Sequence, residues 1–112
     1  MAVSFLRRRG YRILERNYSC SYGEVDLVAE ESGDIVFVEV KTRAGVGYGE
    51  PAEAVTIHKQ RQIMRVAEHY RIDKKLGGVP CRFDVVSIVA EPGKKPVFKL
   101  YSSAFDFRGW RT

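Results

Sequence analysis

Residues 24–42 contain two segments of alternating character on either side of a turn, and one pairing of them is strongly favoured. Residues 24–30 and 35–42 are rich in β-branched side chains, and Glu31-Ser32-Gly33-Asp34 between them is turn chemistry, so the pair is predicted to form an antiparallel hairpin. With the loop centred on Ser32-Gly33, facing residues have numbers that sum to 65. Val25 then faces Val40, Leu27 faces Val38 and Ala29 faces Val36, which is one wholly apolar face. On the other face Asp26 meets Glu39, Glu24 meets Lys41 and Val28 meets Phe37. A slip of one residue would scramble the apolar face, so the pattern selects its own register.

Directly opposed side chains have Cβ atoms about 4.5–5.5 Å apart, and like charges there are destabilising. Asp26 beside Glu39 therefore calls for a compensating cation. A hard divalent ion answers that need, because Mg²⁺ takes a few carboxylate oxygens and completes its shell with water and phosphate. The plainer alternative is an ion network in which Lys41 and Arg43 neutralise the acids. The metal reading is preferred because the two acids lie on strands whose other residues are of buried type.

The chain's 112 residues suit one domain, 1–112, with a single core. No apolar run approaches the roughly 20 residues that span a bilayer, so no membrane partner is expected. Arg7-Arg8-Arg9 follow the apolar start instead of preceding it, opposite to a secretory signal. Cys20 and Cys81 are far apart in sequence and read as reduced thiols of a cytoplasmic protein. The net charge of +5 favours a polyanionic partner. Basic residues cluster at 7–9 with Arg12 and Arg16, at Lys59, Arg61 and Arg65, at Lys74-Lys75 and at Lys94-Lys95. Any one cluster reads as a solvated face; beside a carboxylate site they point to a phosphate-rich substrate.

Along the chain, residues 2–9 read as a helix stopped by Gly10, followed by an edge strand over 11–18. After the hairpin, Arg43 to Gly49 reads as a loop, and Glu50-Pro51 opens a helix running to Ile72. Ala52, Val55, Ile63, Val66, Ala67 and Tyr70 form its inward stripe. Lys59 shares that stripe, either snorkelling to the flank or reaching a phosphate from the border of a cleft. His58 and His69 are expected to face solvent. Residues 73–80 form a loop, 81–90 a covered strand and 97–101 a last short strand, with Phe105, Phe107 and Trp110 packing onto the core. The order describes an α/β domain with a central mixed β-sheet flanked by helices.

An Asp, a Glu and a Lys on one sheet face suit metal-assisted phosphodiester hydrolysis. Asp26 and Glu39, with the backbone carbonyl of Val40, would hold Mg²⁺ or Mn²⁺. Lys41 would orient the attacking water and offset charge in the transition state. Glu24 would steady Lys41 or act as an outer ligand, and Arg43, Lys59 and Arg61 would contact nucleic-acid phosphates.

Asp26 followed thirteen residues later by Glu39-Val40-Lys41 on the next strand resembles the PD-(D/E)xK nuclease core. The spacing is similar to that of archaeal Holliday-junction resolvases. More specifically the chain resembles the YraN-like family of uncharacterised bacterial proteins, through residues 10–17, 23–29, 36–43, 51–55, 82–86 and 104–105. The resemblance implies a restriction-endonuclease-like fold and a metal-dependent endonuclease acting on branched or single-stranded DNA more readily than on RNA, with a homodimer suited to cutting two strands. The alternative is a nucleic-acid-binding module of the same fold with weak or no catalysis, and a third is an interaction protein retaining only an ion network. Two positions depart from the pattern. Val25 replaces the proline of the superfamily's name, which supplies geometry and not chemistry. Aligning Phe5-Leu6 with the relatives' aromatic-leucine pair puts their N-terminal metal-site glutamate before Met1, and Glu15, in a different motif, does not replace it.

Overall fold

A computed structural model describes residues 1–43 and 55–105. The expected loop as far as Gly49, the helix opening at Glu50-Pro51, the stripe residue Ala52 and the tail aromatics Phe107 and Trp110 lie outside those residues. The elements run α1 (Ala2–Arg8), β1 (Arg12–Cys20), β2 (Gly23–Glu31), β3 (Asp34–Arg43), α2 (Ile57–Asp73), β4 (Cys81–Val89) and β5 (Val97–Phe105). The strands form one sheet in the order β1-β2-β3-β4-β5. Only β3 and β4 are parallel, so the sheet is mixed. A parallel neighbour demands a crossover, and α2 supplies it.

Each sheet face has its own helix and its own core. On one face α2 buries Ile63, Met64, Val66, Ala67 and Tyr70 against Val28, Ile35, Phe37, Phe83 and Val85. On the other, α1 buries Leu6 against Leu27, Ala29, Val36, Val38, Val86 and Ile88. Helix α1 is short, and its end is tightly specified: Gly10 donates to the Arg7 carbonyl at 3.1 Å and Tyr11 to the Leu6 carbonyl at 3.1 Å. This is a Schellman closure, and Gly10 takes the left-handed φ of +90° that it requires.

The hairpin register is the one the apolar pattern selected, from Glu31 opposite Asp34 to Leu27 opposite Val38. The ladder stops there, which corrects two expectations. Val25 does not join Leu27 on the α1 face but packs into the α2 core. Glu24 pairs with Ser19 on β1 and is exposed, away from Lys41. Residues two apart on a regular strand share a face, so the alternation is broken at Asp26. Opposite that break, Asn17 of β1 adopts a φ of +52°, and its flanking pairs Arg16–Leu27 and Tyr18–Val25 follow opposite faces. Asparagine is among the residues that best tolerate this conformation.

Of the other boundaries that differ from the sequence reading, three bear on the packing. Helix α2 cannot be continuous from residue 50, because Val55 and Thr56 are non-helical and Thr56 caps Ile57 onward, its hydroxyl accepting the Lys59 N–H at 3.2 Å. Strand β4 ends at Val89, one residue earlier than expected. Strand β5 runs on to Phe105 past an irregularity between Phe83 and Val85. There the fully buried Asp84 accepts the Ser103 N–H at 2.9 Å and the Tyr11 hydroxyl at 2.7 Å. Arg82 bonds the same carboxylate at 3.2 Å and reaches Glu31 at 2.7 Å and Asp34 at 2.9 Å. The chain after α1, the hairpin turn, β4 and β5 are thus tied at one point. No helix among the described residues is long and apolar enough to cross a membrane.

Removing the buried anion leaves Tyr11 and the Ser103 amide without their acceptor and takes one of three carboxylates from Arg82. Asp84→Ala is expected to lower unfolding free energy by about 3–5 kcal/mol, and Tyr11→Phe by about 1 kcal/mol, in urea denaturation. Equal effects of the two substitutions would show that Arg82 and its half-buried partners Glu31 and Asp34, not Asp84, hold the knot.

Candidate functional site

The β2–β3 ladder ends at Leu27–Val38, and a side chain takes over where backbone pairing stops. The Val40 N–H donates to Asp26 Oδ2 at 2.7 Å. This bond holds the Asp26 carboxylate against β3 beside Glu39, whose residue is only 5% exposed. The Glu39 pKa is pushed up to about 7. Burial is the main cause, followed by the hydrogen bond to Asp26 and by the Asp26 charge, while Lys59 and Lys41 pull the other way. Each lysine Nζ lies 3.9 Å from Glu39 Oε2, at the outer limit of an ion pair. Asp26, Glu39, Lys41 and Lys59 therefore form one cluster of two acids and two cations.

Lys59 reaches this cluster because of how α2 is seated. The Thr56 cap sets Lys59 at the third helical position, facing the sheet. One turn on, Gln62 lies flat over Gly23 at the start of β2. A Cβ at Gly23 would come within 2.7 Å of Gln62 Nε2, a contact the flexible side chain can relieve, whereas the Gly23 φ of +137° is a backbone conformation that favours glycine. On its other side Asp26 opens to a cavity of about 290 Å³ bounded by the first turn of α1, Arg16, Asn17 and Val40. A separate cavity of about 410 Å³, between Tyr22 and the last turns of α2, contains none of the cluster.

The remaining expected residues are not gathered here. Glu24 is exposed and makes no hydrogen bond or ion pair among the described residues. Arg61 is exposed two positions from Lys59, a spacing that places it on a different side of the helix. Arg43 ends β3 beyond Lys41, where its carbonyl accepts the Ala90 N–H at 2.8 Å. His58 is exposed, as expected, but His69 is half-buried, edge-on to Tyr22. Residues that sequence reasoning passed over are Asn17, Thr56 and Gln62. Asparagine in a strand and Thr56 ahead of an apolar-periodic run were the available signals; Gln62 gave none.

Among the described residues no group of three or more His, Cys, Asp or Glu side chains could hold a metal. The donor set is therefore two adjacent carboxylates with backbone oxygen. That set is too small for a closed cage of protein ligands, and it fits an ion such as Mg²⁺ that keeps several waters.

Residues 1–88 match Uncharacterised protein family UPF0102. The chain belongs to this family. A UPF0102 protein of Lachnoclostridium phytofermentans is 47% identical over 109 residues, covering 96% of this chain and 88% of its own. One from Syntrophotalea carbinolica is 43% identical over 110 residues, covering 98% and 89%. A third, from Nocardia farcinica, is 44% identical over 105 residues, covering 94% and 83%. All three carry only the family designation, so the chemistry of this UPF0102 chain has to be argued from its own cluster.

The raised Glu39 pKa sets the direction of a pH effect. Between the ordinary carboxylate pKa of 4.5 and about 7, the folded protein holds a proton that the unfolded chain releases. Glu39 therefore lends stability that is complete below pH 4.5 and is lost as pH rises through about 7. Glu39→Gln imitates the protonated form. Thermal denaturation without divalent metal should show wild type losing stability relative to Glu39→Gln between pH 5 and pH 8, by on the order of 3 kcal/mol. A constant difference across that range would mean that Glu39 is ionised throughout.

Proposed function

We propose that this protein is a Mg²⁺- or Mn²⁺-dependent nuclease of the PD-(D/E)xK type, hydrolysing phosphodiester bonds in DNA. The observation that carries the reading is the buried Glu39 beside the half-buried Asp26, with Lys41 and Lys59 both 3.9 Å from one Glu39 oxygen. Two carboxylates forced together at the end of a hairpin carry a proton in place of a second charge, and a divalent cation can take that proton's place. Asp26, Glu39 and the Val40 carbonyl would hold it. The chemistry such an ion supplies when bound is polarisation of a phosphoryl oxygen and a lowered pKa for its water.

The protein's own groups divide the rest. Val40 keeps Asp26 aimed by donating its N–H, so this carboxylate does not swing away when Glu39 deprotonates. Lys59, on a capped helix, is placed to contact a phosphate beside the acids. Lys41, on the same strand two residues from Glu39, is placed to offset the charge that grows on the phosphoryl oxygens in the transition state. Arg43 and Arg61 lie further out and would contribute to substrate affinity only.

A second reading is favoured by the same proton. A pair that is already neutralised is satisfied without metal, as in a nucleic-acid-binding module that keeps the fold without turnover. Calorimetric titration with Mn²⁺ separates the two readings: wild type should bind, and Glu39→Ala should not bind while keeping its fold. Lys41→Ala should lower the cleavage rate about 100-fold and change DNA affinity little, because its contact is made in the transition state. Equal loss of binding and cleavage would make Lys41 a phosphate contact. Protein that binds DNA and never cleaves it with either metal would establish the binding module.

A further inference from the structure

Five of the chain's cations lie about one corner on the α1 side of the sheet. Arg7, Arg8 and Arg9 close α1, and Lys94 and Lys95 sit in the turn immediately before Pro96. All five are exposed, and Lys94–Glu91 at 3.2 Å is the one ion pair made by any of them among the described residues. Between them is a cavity of about 430 Å³ lined by Phe5, Arg8, Arg9, Pro96 and Phe98. Its walls are planar groups. The Phe5 and Phe98 rings stack with centroids 5.1 Å apart and planes 18° apart, and the Arg9 guanidinium lies 4.6 Å over the Phe5 ring.

We infer that this cavity is a second nucleic-acid site, which receives an unpaired base of a single strand while Arg8 and the neighbouring lysines hold its phosphates. Every base has a π-face, and aromatic rings and guanidinium planes are the surfaces on which unpaired bases stack. Paired bases in a duplex cannot enter a recess of this kind. The excess of exposed positive charge complements a phosphate backbone. The position also suits a substrate track. The first turn of α1 borders the Asp26 cavity and its last turn carries Arg8 and Arg9, about 9 Å along the helix at 1.5 Å per residue. At about 3.4 Å rise per nucleotide that is roughly three nucleotides. The inference rests on the nucleic-acid reading above for its ligand class, but not on metal binding or on turnover.

The test is fluorescence anisotropy in EDTA with a labelled single-stranded 12-mer containing one 2-aminopurine, beside the duplex of the same sequence. Wild type should bind the single strand more tightly than the duplex and quench the 2-aminopurine, as stacking does. Arg8→Glu/Arg9→Glu should lower single-strand affinity tenfold or more and abolish the quench, with Arg8→Ala/Arg9→Ala giving the same direction if charge reversal disturbs the helix. Arg65→Glu/Lys75→Glu changes net charge equally at exposed positions on and beyond α2, and should cost less than threefold. Equal losses in the two double variants, tighter binding of duplex, or displacement of the 12-mer by poly-glutamate as readily as by unlabelled 12-mer would overturn the inference, since each would leave only charge. Single-strand binding through Arg8 and Arg9 in a protein that never cleaves would sink the nuclease and spare this site; cleavage with unaltered affinity in the Arg8/Arg9 variants would do the reverse.

Discussion

The hydrogen bond from the Val40 N–H to Asp26 is the contact on which the candidate site depends. It is a side-chain bond standing where a backbone rung of the β2–β3 ladder would otherwise be. By accepting that N–H, Asp26 satisfies a backbone donor that would be costly to leave unpaired. The same bond stations its carboxylate next to Glu39. Without it two acids on neighbouring strands would swing apart to relieve their repulsion. With it they stay together, and Glu39 keeps its proton to about pH 7.

Strand β3 connects two charged sites of opposite design. At its start Arg82 is shared among Glu31, Asp34 and Asp84, a cation saturated with acceptors. Glu39, about 17 Å along the strand from Asp34 at 3.3–3.4 Å per residue, sits in a cluster where both lysines stand off at 3.9 Å. The short contacts at the first end suit a permanent tie between α1, the hairpin and the β4–β5 pair. The long ones at the second leave cations near an acid without committing them, which is what a site that must admit a further charged group requires. Glu39 and Asp84 are the buried members of the two clusters, where water screens their charges least.

Much of this was legible because it follows from local chemistry. The alternation of Leu27, Ala29, Val36 and Val38 sets the hairpin register, and Gly10 marks the end of α1. The register carries Asp26 and Glu39 onto neighbouring strands, but their contact lies past the last pair of the ladder, Leu27–Val38, and depends on the Val40 N–H bond. The misplacement of Val25 and Glu24 came from extending a period-2 pattern through Asp26. Asn17, on another strand, interrupts the pattern there, and a single-strand periodicity cannot register a turn of the backbone in its neighbour. The start of α2 was misjudged because Pro51 is a strong helix-opening signal and Thr56 is a quieter one. Arg82 and Asp84 looked like ordinary strand residues, since their partners come from four other segments of the chain.

The sequence by itself determined the hairpin, the two strands that carry Asp26 and Glu39, and the mixed α/β character, because register and face are local consequences of side-chain alternation and turn chemistry. Tertiary structure decided which cations those acids meet. Lys41 comes with Glu39 on the same strand, but Lys59 arrives from α2, whose Gln62 packs against Gly23. It also decided that Glu24 and Arg61 stand apart, and that Phe5, Arg9 and Phe98, up to 93 residues apart in sequence, line one recess. Those outcomes depend on how a helix seats on a twisted sheet, which is set by packing summed over the whole core and is not encoded in any one segment.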